Sequence, residues 1–394
     1  MQIMSSVLHA YSERIREAAS RHQPLRVRGG GTKDFYGQDL QDAVLDTRDY
    51  QGVLSYEPSE LVVTVCAGTP LAEVEALLAQ HGQCLAFEPP HFATERAQAT
   101  VGGMVAAGLA GPARASVGSV RDFVLGVRML NGKGEDLRFG GQVMKNVAGY
   151  DVSRLMAGSL GTLGLITEVS LKVLPVAPAQ ATLACLGVSQ QDALDLLNRW
   201  GGQPLPLNAS AWVHDTTAEP AQDALYVRLR GASAAVQAAI VRMQADVRAL
   251  GAQVMHVDDG EIDVDADWRA SAEQTLPFFA QPPSPEACLW RLSVPQTTPA
   301  LEVPRAWGSP YIEWHGAQRW YWAPASAAGA MRHAAHHAGG HATLFRCSQT
   351  HGLADKSVGV FAPLDTVQLR IQRALKQEFD PAGIFGPGRW YAEL

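Results

Sequence analysis

Arg28 to Lys33, within the stretch PLRVRGGGTKDFYG, set three consecutive glycines directly after a short apolar run. Glycine at a strand exit signals close backbone approach, because no Cβ shields the neighbouring N–H groups. Gly29, Gly30 and Gly31 expose several amides, Thr32 adds a hydroxyl donor, and Arg28 and Lys33 add positive charge. That set suits the cradling of a diphosphate, although a surface turn has the same composition. Two common nucleotide motifs do not fit. A Walker loop needs Ser or Thr after its lysine, whereas Lys33 is followed by Asp34. A dinucleotide fingerprint needs a glycine two residues beyond Thr32, where Asp34 also stands. Neither ATP nor NAD is indicated.

Two further glycine clusters lie downstream. AQATVGGMVAAGLAG, from Ala97 to Gly111, sets Gly102, Gly103 and Gly108 among small residues that let backbone lie flat against a ligand. KNVAGYDVSRLMAGSLGTLGLITEVSLKVLP, from Lys145 to Pro175, places Gly158, Gly161 and Gly164 just before a strand. A fourth stretch, MRHAAHHAGGHATLFR, holds His333 and His337 four residues apart, with His336 and His341 close by. Imidazoles at that spacing share a helix face and can hold a metal. No carboxylate stands close in sequence, so a polar helix end with surface imidazoles is the reading adopted, and no metal is expected.

The elements that must position these residues follow from the apolar pattern. With 394 residues and 47% hydrophobic content, the chain can bury two substantial cores. The net charge of -7 comes without a basic run, which argues against nucleic acid as a partner. Residues 1–22 lack an apolar core of signal-peptide length, and no apolar run is long enough to span a bilayer, so a cytoplasmic protein is expected. Cys66, Cys84, Cys185, Cys288 and Cys347 form no CxxC pair; they read as reduced, buried thiols that cannot ligate an iron–sulfur cluster at any usual spacing.

Ser12 to Arg21 suit a helix and Leu25 to Arg28 a strand; LVVTVCAG and CLAFEPP also read as strands, flanking the helix PLAEVEALLAQHG. FVLGVRML and EDLRF, joined by NGKG, form a hairpin signal. GLITEVSLKVLP ends in a proline-rich boundary near Pro175. Beyond it, helices QQDALDLLNRW and SAAVQAAIVRMQADVRAL interleave with strands SAWVHD, ALYVRLRG, LWRLSVP and RWYWAP. This pattern predicts a helix-backed antiparallel sheet, with the tryptophans of YIEWHGAQRWYWAP in its core strands. The last helix, TVQLRIQRALKQEF, leads into FDPAGIFGPGRWY.

The three glycine clusters, in this order and spacing, resemble the FAD-binding domain of the vanillyl-alcohol oxidase family. KNVAGYD followed by GSLGTLGLIT is most similar to the glycolate oxidase subunits, particularly the smaller FAD-binding one, and FDPAGIFGPGRWY is similar too. The resemblance implies an α+β fold: a two-subdomain, PCMH-type FAD-binding domain over residues 1–175, a helix-backed antiparallel-sheet cap domain over 176–345, and a segment, 346–394, returning to the FAD domain. Arg28, Gly29, Gly30, Gly31, Thr32 and Lys33 would hold the FAD diphosphate, and Thr100, Val101, Gly102 and Gly103 would line its second side. Gly118 and Ser119 would lie near the flavin, and Gly161, Thr162 and Ile166 at the adenosine end. Asn146, Tyr150 and Asp151 would either contact the flavin or tie a loop to its neighbour. Gly386 stands where relatives usually have Asn.

Covalently flavinylated relatives carry His in the first glycine loop, where this chain has Thr32 and Lys33, and bicovalent ones add a Cys that is missing between Gly111 and Arg121. Dissociable FAD is expected. Oxidation of a 2-hydroxy acid needs a base, cations for the carboxylate and the flavin as hydride acceptor. The HxGDGNxH segment of larger catalytic relatives is missing; His341, Arg346 and Arg389 are the catalytic candidates, the two arginines as carboxylate anchors or, alternatively, as members of surface ion pairs. Implied partners are a larger FAD-containing catalytic subunit, an iron–sulfur subunit and a small 2-hydroxy acid such as glycolate or D-lactate. Attachment to the inner membrane would come only through those partners. A flavin-binding assembly or electron-relay subunit, and a stand-alone flavin oxidase, are the alternatives.

Overall fold

A computed structural model describes residues 2–141, 151–257 and 263–394. The chain divides into two compact units, one built from residues 1–110, 118–176 and 363–394, the other from 111–117 and 177–362.

In the first unit, a five-stranded antiparallel sheet runs in the order Val53–Glu57, Val62–Cys66, Leu165–Lys172, Val124–Leu130, Asp136–Gly140. The continuous apolar run VVTVC is buried at every position, as a strand covered on both faces must be. NGKG closes the hairpin as its residue types dictate: the Asn131 side-chain oxygen accepts the N–H groups of Lys133 and Glu135, both at 3.0 Å, and reverses the chain.

The first helix is longer than the Ser12 start suggested, covering Gln2–Ser20. It packs Tyr11, Ile15 and Ala18 against Leu25, Leu45 and Phe385. Fully burying a side chain the size of Ile15, Leu25 or Phe385 contributes about 1.5–3 kcal/mol. Of CLAFEPP only Cys84 lies in a strand, the two-residue Gln83–Cys84, which pairs with Leu174–Pro175. Glu88 turns to φ 50° and two prolines follow, which have no N–H for a ladder.

The C-terminal segment rejoins this unit. The Leu25 N–H donates to Ile384 O at 2.7 Å and the Gly386 N–H to Leu25 O at 2.9 Å. Buried Asp380 accepts the amides of Ile384 and Phe385 and pairs with Lys376 at 2.8 Å. Lys376, on the helix Thr366–Phe379, also donates to Thr162 O and Phe385 O. FDPAGIF is thus a turn anchored beside the glycine-rich third cluster.

The second unit is a helix-backed antiparallel sheet of eight strands. Its order is Gln253–Val257, Ala179–Leu186, Gln222–Gly231, Leu207–Asp215, Tyr311–Glu313, Gln318–Ala323, Cys288–Ser293, His341–Arg346. Helices Gln190–Gly201 and Ser233–Arg248 lay Leu197, Trp200, Ile240 and Met243 on Leu183, Trp212 and Val227. Helix Ala328–His337 covers the other end with Met331 and Ala335 against Trp290 and Leu344. Trp320 and Trp322 face away from that helix toward Phe278 and Phe279, while Tyr321 points into the helical side.

Residues 346–362 group with this unit, because the Leu344 amide donates to Val360 O and the Thr350 amide to Pro285 O. The chain returns to the first unit only from Pro363. Among the described residues, no helix is long and apolar enough to cross a membrane.

Candidate flavin site

The strand Leu25–Arg28 delivers the chain into Gly29, Gly30 and Gly31. Among the described residues, the backbone amides of Gly29, Gly30, Gly31 and Thr32 donate to no protein acceptor. This loop is half-buried. Unsatisfied donors held in that setting call for an external acceptor, and phosphate oxygens are suited to adjacent amides. The loop therefore fits the diphosphate of FAD.

The charges around it are arranged differently from the expectation. Arg28 Nε donates to Asp34 at 2.7 Å, and Arg26 approaches the same carboxylate oxygen at 2.6 Å. Asp34 thus balances the Arg28 charge. Lys33 Nζ donates to Thr32 Oγ1 and His91 O, both at 3.2 Å, and lies 5.6 Å from the centre of the Phe92 ring.

The three glycine clusters meet. A Cβ on Gly29 would stand 2.3 Å from Thr100 Oγ1, and one on Gly30 would stand 1.5 Å from Gln98 O, so the first loop lies flat on the second. The Gly158 amide donates to Val105 O at 2.9 Å and the Leu160 amide to Ala106 O at 2.8 Å, which ties the third cluster to the second. A Cβ on Gly161 would lie 3.3 Å from Val27, beside the start of the first loop.

In the second cluster, three of the four residues expected to line the cofactor use their amides within the protein. Val101 N–H donates to Thr69 O, Gly102 N–H to Ala67 O, and Gly103 N–H to Oγ1 of Thr100, the N-cap of helix Val101–Ala107. Gly102 is required by close packing on Ala67, 2.7 Å from where a Cβ would sit. Val101, Gly102 and Gly103 can thus offer a ligand a smooth surface but no amide donor.

Gly118 and Ser119 precede the short helix Val120–Phe123. The Asp122 carboxylate accepts the Ser119 N–H at 2.8 Å and its hydroxyl at 2.9 Å. Burial raises the Asp122 pKa, but these bonds and the charges of Arg154 and Arg121 outweigh it and leave the group below the ordinary carboxylate value.

Asp151 is exposed and caps the helix Val152–Leu155, accepting Arg154 N–H and Ser153 Oγ–H and pairing with Arg154 at 2.9 Å. These contacts are the kind that tie a loop to the helix after it. Asn146 and Tyr150 lie outside the described residues. Thr162 turns its hydroxyl back to Ser159 O, and buried Ile166 pairs with Met129 inside the sheet.

Of the catalytic candidates, Arg389 belongs to the first unit and His341 and Arg346 to the second. Arg389 is buried and directs its guanidinium at main-chain carbonyls: Gln38 O at 2.5 Å, Asp34 O at 3.3 Å, and Tyr36 O. Burial, with Arg26 nearby, pulls its pKa down to about 10. Through these bonds it clamps the 34–38 turn. Arg346 donates from Nε and Nη2 to Gln274 Oε1 at 3.2 and 3.1 Å. His341 begins the strand that Arg346 ends, about 16 Å away at strand rise.

The His333 and His337 rings lie tilted against each other, centres 4.0 Å apart, on an exposed helix face. Among the described residues, no three metal-ligating side chains come together. Asp34 and Gln98 carry no site signal in the sequence: the order Lys33–Asp34 only excludes other nucleotide motifs, and Gln98 acts through a carbonyl that every residue carries.

An antiparallel sheet carrying three joined glycine clusters and unsatisfied loop amides defines an FAD-binding flavoprotein. A family profile described as "FAD binding domain" matches residues 9–140. The chain belongs to the glycolate oxidase FAD-binding subunit family: it is 42% identical to glycolate oxidase subunit GlcE of Escherichia coli (strain K12), over 98% of this chain and 97% of that one. It is thereby an FAD-dependent oxidoreductase. A D-lactate dehydrogenase of Archaeoglobus fulgidus is 29% identical over 47% of this chain and 41% of its own length. Glycolate oxidase subunit GlcD of Bacillus subtilis (strain 168) is 31% identical over 44% of this chain and 37% of its own. The solved structure of alkyldihydroxyacetonephosphate synthase superposes with a TM-score of 0.62 at 14% identity, covering 96% of this chain and 74% of that one, and so shares the fold.

Proposed function

We propose that this chain is the FAD-holding subunit of a glycolate oxidase complex that converts glycolate to glyoxylate. In this reading it works beside a larger FAD-containing catalytic subunit and passes electrons to an iron–sulfur subunit. The observation that carries the proposal is the end-to-end similarity to a glycolate oxidase subunit, joined to a loop whose free amides suit a diphosphate. Bound FAD supplies a two-electron acceptor for hydroxy-acid oxidation.

The chain's own residues bind and orient that group. The amides of Gly29 to Thr32, with Lys33 beside them, would take the diphosphate. Thr100, Val101, Gly102 and Gly103 would form its packing wall, Gly161, Thr162 and Ile166 the adenosine end, and Gly118 and Ser119 the flavin side. The complex would work in the cytoplasm or at the inner membrane through its partners.

A second reading, electron relay without catalysis in this chain, is favoured by the engagement of Arg346 with Gln274 and of Arg389 with main chain. An anaerobic spectrum of the purified chain with glycolate or D-lactate separates the two. Bleaching of the oxidised flavin bands by the chain alone establishes catalysis here; bleaching only after the other subunits are added establishes the relay. Purification from the native host should bring down a larger flavoprotein and a cysteine-rich cluster protein. A chain that purifies alone and turns over hydroxy acid with oxygen at about one per second or faster would replace the subunit reading with a stand-alone oxidase.

A further inference from the structure

The turn joining strands Tyr311–Glu313 and Gln318–Ala323 holds three successive residues at positive φ: Trp314 at 54°, His315 at 56° and Gly316 at 99°. Two of them are not glycine, and left-handed backbone at such residues persists only where surrounding contacts over-determine it. The contacts here converge on residues 111–117. The Trp314 indole N–H donates to Gly111 O at 3.0 Å, and the Arg114 guanidinium lies 4.3 Å from the centre of the Trp314 ring.

His315 is buried between two serines, with Nδ1 2.9 Å from Ser210 Oγ and Nε2 2.8 Å from Ser116 Oγ. Ser116 donates its hydroxyl to Leu207 O at 2.7 Å, so its oxygen accepts from Nε2–H. Ser210 accepts the His315 backbone N–H at 3.1 Å and so donates to Nδ1. One neutral tautomer satisfies every donor and acceptor in the set.

The clasped residues 111–117 are continuous with Ala110 and Gly118, which belong to the first unit. Gly118, at φ 101°, is the single residue between Val117, at the end of the clasped stretch, and Ser119, which Asp122 fixes. We propose that His315 is a positioning residue that, by holding Ser116, fixes the 111–117 excursion and with it the backbone of Gly118 and Ser119 beside the flavin. The flavin part of this inference rests on the proposed function; the clasp itself does not.

The test uses the full-length flavin-loaded chain and the substitutions Ser116→Ala, His315→Ala and His315→Gln. Ser116 is an exposed residue, so its variant keeps the test open should His315→Ala fail to fold. Ser116→Ala and His315→Ala should speed amide hydrogen exchange across 111–119 by about tenfold or more and alter the visible circular dichroism of bound FAD, while acid-released FAD stays at the wild-type content. His315→Gln, which keeps an N–H able to reach Ser116, should restore both readings. Unchanged exchange in the two alanine variants would overturn the clasp. Faster exchange with unaltered flavin dichroism would overturn the positioning role. Absence of FAD from the wild-type chain would instead defeat the cofactor reading, and the exchange comparison would still decide the clasp.

Discussion

A side chain on Gly30 would begin 1.5 Å from the carbonyl oxygen of Gln98. No nonbonded pair tolerates that separation, and a backbone carbonyl cannot swing aside as a flexible side chain would. Gly30 is therefore demanded by the contact between the first two glycine clusters, with the ligand loop shaped as a consequence. Gly30→Val should lower stability by about 3 kcal/mol and cut FAD occupancy at the same time, read by thermal melting and by acid-released flavin. Loss of flavin with an unchanged melting temperature would mean that Gly30 answers to the ligand alone.

Arg389 gives the second prediction. Its guanidinium spans the carbonyls of Asp34, Tyr36 and Gln38, and hydrogen bonds from a charged group contribute about 1.5–3 kcal/mol each. Arg389→Met should lower the melting temperature sharply and reduce flavin retention through the loosened turn. Protein that remains folded and loaded should show an unaltered KM for glycolate in the reconstituted complex. A raised KM with an unchanged melting temperature would restore the carboxylate-anchor role.

These two positions show what was legible from residue order. The glycine clusters were visible because a residue lacking Cβ is a local signal, and the buried strand Val62–Cys66 because apolar runs are local too. The helix-backed sheet followed from the helical spacing of Leu194 and Leu197 in one segment and of Val236, Ile240 and Met243 in another. The membership of residues 111–117 was not legible: its partner Trp314 lies 203 residues from Gly111, and the bond ends on a carbonyl with no residue-specific mark. Arg389 reads as a charge in any sequence. Whether it meets a ligand or the main chain is decided by the 34–38 carbonyls that the fold carries to it. The edge strands Gln253–Val257 and His341–Arg346 escaped because both are short and their sequences, QVMHV and HATLFR, lack a strict apolar–polar alternation.

Flavin attachment is open to direct measurement. Attachment through sulfur needs a thiolate, yet burial pushes Cys66 up to about 11 and Cys185 to about 12, which leaves them protonated and unreactive near neutral pH. The loop itself offers Thr32 and Lys33 in place of a histidine. Acid or heat should therefore release intact FAD, identified by chromatography, with the polypeptide left colourless. A fluorescent flavin band on a denaturing gel, or FMN in the supernatant, would contradict this.

The last prediction concerns pH and two neighbours on one turn. Glu313 is buried, accepting the Trp320 indole N–H at 2.7 Å and the Gln318 amide. Burial raises its pKa to about 7, although those bonds and Arg291 pull the other way. Burial lowers His315 to about 4. Both groups are thus held toward their neutral forms, with opposite effects on stability. The raised Glu313 contributes stability that is fully present below its unfolded value near 4.5 and is lost as pH rises through 7. The depressed His315 contributes stability that is fully present above 6.5 and is lost as pH falls through 4. Each limb amounts to about 3 kcal/mol when complete. Urea midpoints measured from pH 4 to 8 should show Glu313→Gln gaining on the wild type as pH rises from about 4.5 to 7. His315→Gln should lose less than the wild type as pH falls from about 6.5 to 4. If Glu313→Gln tracked the wild type at every pH, the carboxyl would be ionised in the folded chain, and the neutral pairing of this turn would be wrong.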